Sequence, residues 1–114
     1  MDYKWDVVKS TEGLWAQYTI KRDGRLAFFC KWARVGDKVE IHDEFYIKAP
    51  SVFRYAREFL ETVLRKDIRE DGGRWMVVID ETSRVDEKRL KYWRFMGFVN
   101  PSIIDEFTSA WREA

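Results

Sequence analysis

The chain has little that would support metal or redox chemistry: among its 114 residues there are one cysteine, one histidine and two prolines. So few soft donors suggest neither a zinc nor a redox site. Net charge is also scarce, with 21 basic against 20 acidic side chains, which removes any overall field that would draw in nucleic acid or an anionic membrane. No apolar run approaches the roughly 20 residues that a membrane-spanning helix needs. The charged start Met1-Asp2-Tyr3-Lys4-Trp5-Asp6 is unlike a signal peptide, so synthesis in a cytoplasm is expected. Cys30 sits inside the apolar stretch from Leu26 to Trp32, where a thiol is expected to act as a small buried hydrophobe and not as a nucleophile.

What the chain has in abundance is aromatic surface. Six Trp, five Tyr and eight Phe make up 17% of it, more than a single core of this size needs. Some rings fill volume beneath a small sheet. Tyr3, Trp5, Trp15, Trp32 and Trp111, near the ends or beside charged neighbours, are expected to be exposed anchors for a protein partner or a second copy. The length fits one domain over 1–114 that needs no disulfide or metal.

Periodicity supplies the elements. Trp15 to Lys21, Leu26 to Arg34 and Val39 to Ile47 are rich in β-branched and aromatic residues and are separated by turn-like Arg22-Asp23-Gly24-Arg25 and Val35-Gly36-Asp37-Lys38. They predict a three-stranded antiparallel meander. In the third strand Val39, Ile41, Asp43 and Phe45 alternate with Glu40, His42, Glu44 and Tyr46. Helical spacing of Val52, Ala56, Phe59, Val63 and Leu64 predicts a long helix, N-capped by Ser51 and ending near Arg69 or Glu70 before Asp71-Gly72-Gly73. The unbroken apolar run Trp75 to Ile79 predicts a central strand buried on both faces. A helix over 84–96, capped by Thr82 or Ser83 with Asp86, and stopped by Gly97, precedes a new strand from Phe98. Residues 1–13 form an N-terminal segment, and the stripe Ile103, Ile104, Phe107 and Trp111 predicts a C-terminal helix within 102–114.

The order of meander, helix, strand, helix and strand, closed by Gly97-Phe98, resembles the core of the GNAT (Gcn5-related N-acetyltransferase) family between about residues 14 and 100. The resemblance implies an α+β fold with a truncated N-terminal cap, since such domains begin with a strand and two helices before the meander. It also implies where acetyl-coenzyme A would bind: a glycine-containing loop after the third strand, whose backbone amides and following helix N-terminus cradle the pyrophosphate. Here that stretch reads Tyr46-Ile47-Lys48-Ala49-Pro50-Ser51-Val52-Phe53-Arg54 and contains no glycine. Lys48, Ser51 and Arg54 are the candidate cofactor contacts. For an enzyme of this type Glu40, His42 and Glu44 are the candidate bases, and Tyr92 is the candidate acid. The family's usual tyrosine position falls on Trp93, whose indole N–H is no useful proton donor.

The chain is also similar to small GNAT-like proteins of tailed bacteriophages, including internal virion proteins that have lost the pyrophosphate loop. That similarity implies a non-catalytic protein, without a cofactor, that acts through contacts with other virion proteins. The alternative is a minimal acetyl-CoA-dependent N-acetyltransferase, and a third class is an inhibitor that binds one host protein.

Overall fold

A computed structural model describes residues 4–80, 87–104 and 107–114, leaving undescribed the side chains at 79–80, 87–89, 100–104 and 107–111. Strands β1 (Trp5–Glu12), β2 (Trp15–Arg22), β3 (Arg25–Val35) and β4 (Lys38–Phe45) form an antiparallel ribbon. Each hairpin turns on two residues, and the turn chemistry follows the sequence. Asp23 and Gly24 both take positive φ, at 50° and 80°, the conformation a type I′ hairpin requires. The three expected meander strands are β2 to β4. The N-terminal segment supplies a further strand, β1, joined to β2 by Gly13-Leu14 alone. A turn of two residues thus stands where the resemblance implies two cap helices.

The long helix begins at Pro50 and not with Ser51 as its cap: Ala49 is the N-cap, and Pro50 occupies the first turn, where a missing N–H costs nothing. It runs as α1 (Pro50–Phe59), a π-helical turn (Leu60–Leu64) and α2 (Arg65–Glu70). Then come β5 (Trp75–Asp80), α3 (Glu87–Phe95), β6 (Val99–Ile104) and β7 (Phe107–Glu113). The expected caps Thr82, Ser83 and Asp86 lie outside the described residues. Gly97 does end α3: with φ 89° it lets its own N–H reach the Arg94 carbonyl at 2.9 Å and the Phe98 N–H reach the Trp93 carbonyl at 3.0 Å.

The C-terminal helix expected within 102–114 is not found. Phe107–Glu113 is a strand that slots between β5 and β6 and is antiparallel to both, giving the sheet order β1-β2-β3-β4-β5-β7-β6. A strand as apolar as β5 needs ladder partners on both sides, because its backbone groups have no water to turn to. β4 supplies one side and β7 the other.

Cross-strand register sorts the side chains into two faces. Tyr18 lies opposite Cys30, and Ile20 opposite Phe28, which in turn lies opposite Phe45. This face meets α1 through Tyr18–Phe59 and Phe28–Phe59 contacts at 5.2 and 6.0 Å, and α3 through Phe45–Tyr92 at 5.1 Å. Both helices therefore cover the same side of the sheet. The other side holds Trp15, Gln17, Lys31, Glu40, His42 and Glu44, and among the described residues no helix covers it.

Candidate functional site

The one parallel pair in the described sheet, β4 with β5, is in register only from Lys38 opposite Trp75 to Ile41 opposite Val78. Beyond Ile41, β4 continues to Phe45 with β3 as its partner. A cleft therefore opens between the end of β4 and β5, with the start of α1 at one rim and α3 above it. This is where the family resemblance places a cofactor.

Side chains fill the cleft. Tyr92 and Trp93 come down from α3, both buried, with ring centroids 4.7 Å apart. Tyr92 packs on Phe45 at 5.1 Å and on Phe53 at 5.7 Å, while Trp93 meets Phe98 edge-on at 5.4 Å. The Tyr92 hydroxyl donates to Asp43 Oδ2 at 2.6 Å, the short length of a bond to a carboxylate. Among the described residues a cavity of about 20 Å3 lies here, lined by Cys30, Ile41, Asp43, Leu60, Tyr92 and Trp93, room for about one water molecule. Burial pushes the Cys30 thiol well above its ordinary pKa, and the Asp43 charge adds to the effect. It is a closed, protonated wall group.

Part of the rim is committed as well. Tyr46 and Ile47 point their amides at the Ala27 carbonyl, at 2.9 and 3.1 Å. Val52 and Phe53 donate back to the Ala49 carbonyl at 3.0 and 3.3 Å, and Pro50 has no N–H to give. Of the candidate cofactor contacts, Ser51 accepts from Arg22 at 2.7 Å, whereas Lys48 and Arg54 are exposed. A pyrophosphate needs a fan of converging backbone amides, and those of Tyr46, Ile47, Val52 and Phe53 are already bonded within the chain.

The structure separates the candidate catalytic residues. Tyr92 is in the cleft. Glu40, His42 and Glu44 all lie on the opposite, helix-free face, because they alternate with the residues that point inward. His42 there sits edge-on to Trp15 at 5.3 Å, and the Lys31 ammonium lies 4.6 Å from the same indole. The acid that does face the cleft is Asp43, the single carboxylate in the inward set Val39, Ile41, Asp43 and Phe45. A lone charge on an otherwise apolar strand face was the signal for it.

The expected interface aromatics also divide. Trp32 is buried, and its indole N–H donates to the Tyr18 hydroxyl at 3.3 Å, so it is a core residue and not a contact. Trp5 stacks flat on Tyr55 with centroids 3.9 Å apart. Trp15 is half-buried on the helix-free face. Tyr3 lies outside the described residues, as does the side chain of Trp111, whose backbone belongs to β7. Exposed apolar groups that aromatic content did not flag are Val8, Leu14 and Val35, and Trp75 joins them at 43% exposure.

A second polar cluster ties the helical layer to the sheet. Asp67 accepts from the Tyr18 hydroxyl at 2.6 Å and from the Lys9 ammonium at 3.1 Å. Burial alone would raise the Asp67 pKa, but these two donors outweigh it and hold the carboxyl below its ordinary value. Tyr18 is pushed far up, by burial first and then by its bond to Asp67. Glu61, in the π-helical turn, is likewise held low against burial by Arg65 at 2.7 Å and by Arg112. Arg112 also donates to the Met96 carbonyl at 2.5 Å, and so joins β7, the π turn and the end of α3.

These features define the fold as that of a GNAT acetyltransferase domain, an α+β sheet with its helices on one side. The GNAT domain of S. lividans PAT superposes on 89% of this chain with a TM-score of 0.67 at 15% identity. The Campylobacter jejuni N-acetyltransferase PseH in complex with acetyl coenzyme A covers 90% with a TM-score of 0.67 at 8% identity. The Thermoplasma acidophilum PaiA N-acetyltransferase in complex with coenzyme A covers 86% with a TM-score of 0.65 at 13% identity. This chain spans only 61%, 70% and 60% of the three, respectively. No family model and no curated protein matches the sequence.

Proposed function

We propose that this chain is a non-catalytic GNAT-fold protein that acts through protein–protein contacts. The observation that carries the reading is the filled cleft: Tyr92 and Trp93 occupy it, and the Tyr92 hydroxyl is engaged with Asp43 at 2.6 Å. The rim amides of Tyr46 and Ile47 are spent on Ala27. A setting among other virion proteins of a bacteriophage particle is motivated by the sequence resemblance alone, and absence of the chain from purified particles would count against it.

The test is calorimetric titration with acetyl-coenzyme A and with coenzyme A, on the native chain and on a Lys48→Ala/Arg54→Ala variant. The expected result is no binding heat at millimolar ligand. Micromolar binding that the double variant loses would overturn the proposal. It would favour the second reading, a minimal N-acetyltransferase, which rests on the N-acetyltransferases among the fold's neighbours, two of them holding the cofactor or coenzyme A.

A further inference from the structure

The two edges of the sheet are built differently. β6 carries Pro101 and a register break between Val99 and Ser102, features that spoil an edge for pairing. β1 has eight residues without proline, glycine or bulge, in unbroken register with β2. Asp6 through Glu12 are exposed; the helical layer reaches the strand from one face, through Trp5 on Tyr55 and Lys9 on Asp67, and leaves its outer backbone edge uncovered among the described residues. A long edge in regular register is an open template for another strand.

Its orientation can be worked out. The Asp23 N–H donates to the Lys4 carbonyl at 2.8 Å, so Lys4 turns its backbone towards β2. Alternation then turns Asp6, Val8, Ser10 and Glu12 inward, and aims the backbone groups of Val7, Lys9 and Thr11 away from the sheet. We propose that β1 pairs antiparallel with β1 of a second copy of this chain, about a two-fold axis through Val8, joining the two sheets edge to edge.

Charge selects that register. With Val8 opposite Val8, Lys4 of each copy faces Glu12 of the other, Asp6 faces Ser10, and the outward groups of Val7 and Lys9 close the hydrogen-bonded pairs. A shift of one residue on each copy towards the C-terminus sets Lys9 against Lys9 and Asp6 against Glu12, both repulsive. The opposite shift sets Lys4 against Ser10 and loses both ion pairs. The contact is isologous and closes at two copies. It extends the helix-free face across both protomers, and it holds whether or not the fold retains acetyl transfer.

Sedimentation of the full chain across micromolar to millimolar concentration should show a monomer–dimer equilibrium. Lys4→Glu should weaken the dimer on the order of ten-fold, because two attractive cross-strand pairs become repulsive. Lys4→Glu/Glu12→Lys should restore it. Val8→Cys should form an intermolecular disulfide under mild oxidation, since facing residues in a non-hydrogen-bonded pair come within about 4.5 Å between Cα atoms. Asp6→Cys and Ser10→Cys, which do not face themselves, should not. A wild-type chain that stays monomeric at millimolar concentration would overturn the proposal. So would cross-linking at position 6 or 10 in preference to position 8, or a charge swap that fails to rescue.

Discussion

Removing the Tyr92 hydroxyl measures how far the cleft has been given over to structure. Tyr92→Phe keeps the ring between Phe45, Phe53 and Trp93 and deletes only the donor to Asp43 at 2.6 Å. A hydrogen bond to an ionised group contributes about 1.5–3 kcal/mol, and the half-buried setting of Asp43 points to the lower part of that range, about 2 kcal/mol. Unfolding entropy near 2.1 cal/mol/K per residue gives about 240 cal/mol/K for a chain of 114 residues. The melting temperature should then fall by roughly 8 °C. In an Asp43→Asn background the bond is between neutral groups and about half as strong, so the same deletion should cost about 1 kcal/mol. Urea unfolding of wild type, both single variants and the double variant isolates the pair from whatever else either side chain touches. A cost below about 0.5 kcal/mol, or the same cost in both backgrounds, would refute the assignment of Tyr92 to structure.

Three further outcomes follow from the geometry. Asp67 has its folded-state pKa held below the ordinary 3.8, so the stability it contributes is present above about pH 4 and is lost as pH falls through the folded value; Asp67→Asn should flatten acid unfolding in that window, followed by circular dichroism. Gly73→Ala places a Cβ 2.7 Å from Ile68 Cγ2 and 2.8 Å from Val39 Cγ2, both fully buried, and should cost about 1–3 kcal/mol by overpacking, read by scanning calorimetry. Cys30, buried with its thiol pKa raised, should be inert to a disulfide reagent in the native chain and react fully in urea.

The elements legible in the sequence were those whose turn chemistry and periodicity agree. Asp23-Gly24 and Gly36-Asp37 bracket β3, the run Trp75 to Ile79 marks β5, and Gly97 stops α3. β7 was misread as helix for a definite reason. Ile103, Phe107 and Trp111 recur every four residues, and a spacing of four satisfies both a strand's period of two and a helix's period of 3.6. β1 went unseen because an edge strand whose residues beyond Trp5 are all exposed carries little apolar alternation. Of the residues named for an enzyme, Tyr92 lies in the cleft, whereas the candidate bases Glu40, His42 and Glu44 were chosen by side-chain type. The alternation of β4 already placed those three on the face away from Asp43.

The hairpin turns that link β1 to β4 bear on how the chain finds its fold. Every pairing in that ribbon joins neighbours in sequence, so little loop-closure entropy stands in the way of zipping it. The parallel pairing of β5 with β4 must wait for the whole helical segment between them, and β7 must pass β6 to reach β5. The ribbon is thus placed to organise the transition state, while the cleft and its Tyr92–Asp43 bond form late. Mutations in the ribbon should slow folding, and mutations at the cleft should chiefly speed unfolding.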